Sequence, residues 1–179
     1  MRAILLGLLL LASPPALAGT HAGVTLPDSA TVGGQKLVLN GMGLREKYFI
    51  DIYVAGLYLP AKTSDPSKVI SDDVPKRITM SMTYDLSKDK LADAMREGMA
   101  NSPDASAKAH TEKLAGWMES VTKGDQIVLD YVPGKGTTVT VKGKAKGTIA
   151  GVPFMKAIWG IYVGPKPPTA ELKEGLLGG

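Results

Sequence analysis

Residues 39–59 read Leu-Asn-Gly-Met-Gly-Leu-Arg-Glu-Lys-Tyr-Phe-Ile-Asp-Ile-Tyr-Val-Ala-Gly-Leu-Tyr-Leu, and the rest of the chain is organised around them. From Tyr48 to Leu59 the only charged residue is Asp51, and an apolar run of this length, rich in Ile, Val and Tyr, is the pattern of a strand covered on both faces. Such a strand belongs in the middle of a sheet. Just before it, Gly41 and Gly43 predict a flexible turn that delivers Arg45 to the strand's head. Because side chains alternate, Phe49, Asp51, Tyr53, Ala55 and Leu57 share one face, and Ile50, Ile52, Val54 and Tyr58 the other. With the strand starting early enough, Arg45 joins Asp51 and Tyr53.

Arg45 is the residue on which a function can hang. A guanidinium keeps its charge, and a partly buried one without acceptors costs several kcal/mol. Two arrangements satisfy it. One is an internal pair with Asp51 or Glu46. The other is a bidentate clamp on a ligand carboxylate or enolate oxygen, at the end of an apolar cleft between sheet and helices. On the residues alone, both stay open.

Upstream, Met1 to Ala18 carries Arg2, an apolar run from Ala3 to Ala12, Ser-Pro-Pro, and Ala16-Leu17-Ala18. That order predicts a secretory signal cleaved after Ala18, with a second option after Ala22. The apolar run is shorter than the roughly 20 residues a spanning helix needs, so the exported chain is expected in a periplasm or outside the cell, without a stable membrane span. Residues 23–179 are expected to form a single domain. Between the leader and the long strand, Val24-Thr-Leu and Lys36-Leu-Val-Leu predict a hairpin around Gly33-Gly34.

Downstream, Asp65-Pro66 opens a short helix that Val74-Pro75 ends, and Ile78, Met80, Met82 and Tyr84 alternate with polar residues as a half-buried strand. Ser87 caps a helix carrying Leu91, Met95 and Met99. Ser102-Pro103 announces a second helix, with the stripe Leu114, Trp117, Met118 and Val121. The period returns to two from Asp125 to Ile149, with a hairpin at Pro133-Gly-Lys-Gly and a further strand after Gly143. Lys142, Lys144 and Lys146 then face one way on that strand as an edge guard. Phe154, Ile158 and Ile161 or Tyr162 mark one side of a helix stopped by Gly164-Pro165, and Thr169 caps a last helix through Leu177. The fold class is α+β, helices on one face of a largely antiparallel sheet.

Several chemistries are excluded. The chain has no cysteine and only two histidines, His21 and His110, which argues against a metal site. Gly41-Met-Gly43 lacks the third glycine of a dinucleotide loop, and Gly134-Lys-Gly-Thr-Thr lacks phosphate-loop spacing, so no cofactor is expected. The formal charge of +4 includes Arg2 of the leader, too small an excess for a nucleic-acid partner. His110, on an amphipathic helix, reads as a boundary residue rather than a base.

Two stretches carry a resemblance. Gly-Met-Gly-Leu-Arg, Lys-Tyr-Phe-Ile and Ala-Gly-Leu-Tyr-Leu-Pro resemble the arginine-bearing turn and first long strand of the chalcone isomerase-like family in its bacterial secreted branch. The ending resembles the same family, with Ala-Ile-Trp-Gly-Ile-Tyr-Val-Gly, a proline-rich turn and a leucine helix. The resemblance implies the chalcone isomerase-like fold. In the catalytic branch it implies an arginine that polarises a ketone, helped by a threonine, a tyrosine and a helix hydroxyl. Arg45 matches, while the other three places fall on Tyr53, on or near Asp89, and on or near Ile161. Tyr84 is a stand-in for the missing tyrosine. In non-catalytic fatty-acid binders of this fold the same arginine, with a tyrosine, holds a carboxylate. The expected ligand residues are therefore Arg45, Tyr53 and Tyr84, and the expected partner is a small amphipathic acid. An isomerase of hydroxylated enones and a structural or partner-binding domain without a ligand cavity are the alternatives.

Overall fold

The computed structural model describes residues 18–179 apart from Pro103, so the expected leader lies, but for Ala18, outside the described residues. Along the chain come β1 (Ala18–His21), β2 (Val24–Pro27), β3 (Ser29–Val32), β4 (Gln35–Lys47), β5 (Ile50–Leu59), α1 (Pro66–Ser71) and β6 (Lys76–Met82). Then follow α2 (Lys88–Ala100), α3 (Ala105–Lys108), α4 (Thr111–Gly116), β7 (Gln126–Val132), β8 (Gly136–Val141), β9 (Lys144–Ile149), α5 (Val152–Val163) and α6 (Ala170–Leu176). Strands β3 to β9 form one antiparallel sheet in sequence order, and β1 with β2 forms a separate hairpin. The molecule is α+β, with a main core between the sheet and its helices.

The deciding stretch is two strands, not a turn and one strand. Gly41 and Gly43 lie inside β4. Their role is close approach: a Cβ on Gly41 would stand 2.2 Å from the Gly175 carbonyl oxygen, and one on Gly43 would stand 2.3 Å from that of Leu172. Helix α6 rests backbone on backbone over β4, and only glycine permits it. Asn40 fastens the same contact. Its side-chain amide donates to the Leu176 carbonyl at 2.7 Å and its oxygen accepts from the Thr63 N–H at 2.8 Å. The chain reverses at Tyr48-Phe49, so these two residues precede β5 instead of beginning it.

β5 is covered on both faces, as its composition predicts. Tyr53, Ala55, Leu57 and Leu59 enter the main core. On the other face Tyr58 joins Val32 and Leu37 in a small second cluster, and Leu26 of β2 lies over Gly56. The sheet curls, bringing Gly33 after β3 against Val132 of β7.

The hairpin at Gly33-Gly34 pairs Ser29–Val32, not Val24–Leu26, with β4, because Val24–Pro27 pairs backwards with Ala18–His21. The helix expected after Ser102 is two short pieces. Asp104, not Ser102, caps the first, accepting from the Ser106 and Ala107 N–H groups, and Val121 pairs with Leu86 in a bridge beyond the second. Leu114, Met118 and Val121 still reach the core. Lys142 sits in the β8–β9 turn, so only Lys144 and Lys146 lie on the edge strand, and Lys146 pairs with Glu119. Helix α5 is buried around most of its circumference, Met155, Trp159 and Val163 as well as the expected side.

Lys76 is fully buried. Its ammonium donates to the Val69 carbonyl at 2.7 Å and lies 5.6 Å from the Trp159 ring centroid, tying α1 to the sheet. Burial lowers its pKa to about 8, against the opposing pull of Asp72 and Asp73. Nearby, the Tyr131 hydroxyl donates to Asp73.

Candidate functional site

A cleft of about 670 Å³ opens between the β4–β5 end of the sheet, α2, α5 and the segment Lys166 to Pro168. This volume is within the range of about 300–1,000 Å³ typical of small-molecule sites. Its floor is apolar, built from Ile52, Met80, Leu91, Met95, Ile127 and Ile161. The methionines belong both to core and lining, and their flexible thioethers suit an irregular apolar guest.

Arg45 and Tyr53 stand at one end. The two residues are cross-strand partners on β4 and β5, which puts both side chains on the helix-covered face. They meet across two strands, rather than along one strand as the sequence suggested. The guanidinium carbon lies 5.7 Å from the centroid of the Tyr53 ring, a cation–π distance. Arg45 is half-buried and, among the described residues, forms no ion pair or hydrogen bond with any carboxylate. Asp51 and Glu46 oppose one another on the exposed rung of the hairpin and leave it unpaired. The internal pair offered by the sequence is therefore not formed.

Burial pushes the Tyr53 hydroxyl well above its ordinary pKa, and the adjacent Arg45 charge works against that rise. The group remains a neutral donor at physiological pH. Tyr162 of α5 lines the same cleft, and burial, reinforced by the nearby Tyr53, raises its pKa while Arg45 opposes. Its hydroxyl donates to the Met80 sulfur at 3.4 Å. A guanidinium and two buried phenols thus converge at the end of an apolar cleft, a donor set suited to an oxyanion.

Tyr84 is at the rim, 43% exposed, beyond the end of β6 rather than on it. Lys47, Lys90 and Lys166 also reach the rim, with Glu46, Asp93 and Glu97; Asp93 is held by Arg96. Of the positions on which the catalytic roles fall, Asp89 is exposed on the first turn of α2 and does not line the cleft, while Ile161 does. Sequence reasoning missed Tyr162 as a cleft residue. The signal was there, since it is the hydroxyl-bearing neighbour of Ile161. His110 packs edge-on against Phe154, 5.7 Å between centroids, away from the cleft. Among the described residues there is no group of His, Cys, Asp or Glu suited to a metal. No helix among them is long and apolar enough to cross a membrane.

The profile of the chalcone isomerase-like family matches residues 18–178. No curated protein matches the sequence significantly. Among solved structures, a fatty-acid binding protein of Arabidopsis thaliana superposes with a TM-score of 0.72 at 16% identity, over 90% of this chain and 96% of that one. At that identity the likeness is one of fold.

Proposed function

The chain belongs to the chalcone isomerase-like family, and on that premise we propose that its cleft binds a small amphipathic carboxylate such as a fatty acid, without turning it over. One observation carries the reading: Arg45, half-buried at the end of an apolar cleft, has no carboxylate partner among the described residues. A ligand carboxylate supplies the missing anion, and Tyr53 offers a neutral hydroxyl beside it. The acyl chain then lies along Leu91, Met95 and Ile161. That the similar plant structure is a fatty-acid binding protein supports the same reading. The leader expected from the sequence supports a periplasmic or extracellular setting for this activity.

Absence of turnover follows from the donors. The catalytic branch aims several groups at a developing ketone charge, whereas here Asp89 does not line the cleft and the Tyr162 hydroxyl is engaged by Met80. Native mass spectrometry with lipid extraction of the purified protein tests the binding reading. Co-purified acid that disappears in Arg45→Ala is the expected result. An empty protein indifferent to that substitution would favour a structural domain instead.

A further inference from the structure

Among the described residues, four two-residue hairpin turns place both central residues at positive φ. Three of them contain glycine: Ala22-Gly23 at 45° and 76°, Gly33-Gly34 at 58° and 84°, and Lys142-Gly143 at 53° and 73°. The fourth is Tyr48-Phe49, at 53° and 64°. A turn of this type favours Asn-Gly or Gly-Gly, and two aromatic residues in the left-handed region are strained. They gain no burial in exchange. Tyr48 is 82% exposed and Phe49 96%, and Ile50 beside them is also exposed. Strain held at an exposed aromatic tip points to a role outside the folded chain.

The setting of the tip identifies its partner. Tyr48 and Ile50 form part of the cleft rim, so whatever seats on the tip also meets the cleft mouth. The tip reads Lys47-Tyr48-Phe49-Ile50, with the Lys47 ammonium 5.6 Å from the Tyr48 ring centroid. Lys90 and Lys166 add positive charge at the same mouth, beside Glu97 and an Asp93 that Arg96 holds. A basic, aromatic tip of this kind suits the headgroup boundary of an anionic bilayer, with tyrosine at the interface and phenylalanine deeper. One rung back, Glu46 opposes Asp51, and this acidic pair limits entry to the four tip residues.

We propose that the Tyr48-Phe49 tip docks the protein shallowly on an anionic lipid surface, setting the cleft mouth against the membrane so that the acid passes without crossing water. Docking stands on the tip alone, while the delivery half rests on the acid-binding reading above.

Protein purified from cells expressing the whole sequence is sedimented with phosphatidylcholine vesicles, with and without phosphatidylglycerol. Wild type partitions onto the anionic vesicles, less so at high salt. Phe49→Gly, outside the cleft lining, loses about tenfold or more of that partitioning, the factor that burial of a phenyl ring carries. Phe49→Trp retains it and shifts its emission to the blue. In denaturant Phe49→Gly is at least as stable as wild type, because glycine relaxes the strained turn. Transfer of a fluorescent long-chain acid accelerates with vesicle concentration for wild type and not for Phe49→Gly.

Docking is overturned if wild type ignores anionic vesicles, if Phe49→Gly binds them equally, or if Phe49→Gly unfolds more readily, which would make the ring structural. Wild-type self-association abolished by Phe49→Gly, without vesicle binding, would assign the tip to a second copy of the chain. A protein that docks but holds no acid leaves the tip assignment intact and sinks only the binding reading.

Discussion

Arg45 and Tyr53 occupy one rung of the β4–β5 hairpin, the guanidinium 5.7 Å from the phenol ring and out of any ion pair with the described carboxylates. A charge left free by the fold contributes little to stability and much to recognition. Arg45→Ala should therefore weaken a long-chain acid by roughly ten- to a hundredfold, the size of a lost charge-assisted hydrogen bond. The methyl ester of the same acid should bind the two proteins about equally. The melting temperature of the ligand-free protein should hold or rise, since an unpaired half-buried charge is removed, and a large drop would mean that the arginine is structural.

The seat of α6 is tested by a single methyl. Gly43→Ala puts a Cβ against the Leu172 backbone, which cannot rotate away, so α6 must lift. Equilibrium urea unfolding should show a loss of about 1–3 kcal/mol or more, the usual cost of overpacking. Gly116→Ala, where a Cβ meets nothing within 4 Å, is the control and should be neutral or stabilising.

Lys76 sets an alkaline stability profile. Its folded pKa, lowered to about 8, is below the unfolded lysine value of 10.5. Between those values the unfolded chain binds more protons, so this group makes stability rise with pH across that window. Tyr58 and Tyr131, each pushed up to about 12 mainly by burial, act with the opposite sign above pH 10. Urea midpoints should climb from pH 8 towards 10 and then fall. In Lys76→Met the climb should vanish.

Chalcone loss, followed by absorbance beside a no-protein control because the substrate cyclises spontaneously, should stay at the uncatalysed rate. The Tyr53 ring stands beside Arg45, at the place where the resemblance to the catalytic branch implies a smaller threonine. Saturable turnover abolished by Arg45→Ala would promote the isomerase reading.

With the expected leader cleaved after Ala18, intact mass of the mature protein should place its first residue at Gly19. Processing after Ala22 would delete β1, whose Gly19 packs against Leu39 and Met42. A mass beginning at Gly23 would rule out this cleavage choice.

Periodicity carried most of the sheet. Ile78–Met82, Ile127–Tyr131 and Val139–Val141 alternate because each is a strand with one face on the helices, and the cover on both faces expected for Tyr48–Leu59 holds from Ile52 onward. The length of β4 was hidden by Gly41 and Gly43. Glycine reads as punctuation in sequence, whereas here it marks where another backbone arrives from residues 172–176, a distant contact that no local pattern encodes. The site was legible in Arg45 and Tyr53, although their meeting depends on a hairpin register rather than on strand alternation. Tyr162 was marked only by its place beside Ile161, because α5 is apolar almost all round and its periodicity does not say which side faces the cleft.

The contact between α6 and β4 also sets an order of events. The rim segment Lys166–Pro168 is strung between α5 and α6, and its position is settled only when Leu172, Gly175 and Leu176 come down on Gly41 and Gly43. The wall that closes one side of the cleft thus depends on a contact between parts of the chain far apart in sequence. Contacts of that kind close late, so in refolding from denaturant this wall is expected to form after the neighbouring strands have paired. The proposed acid binding should then lag, during refolding, behind the burial of the core tryptophan Trp159.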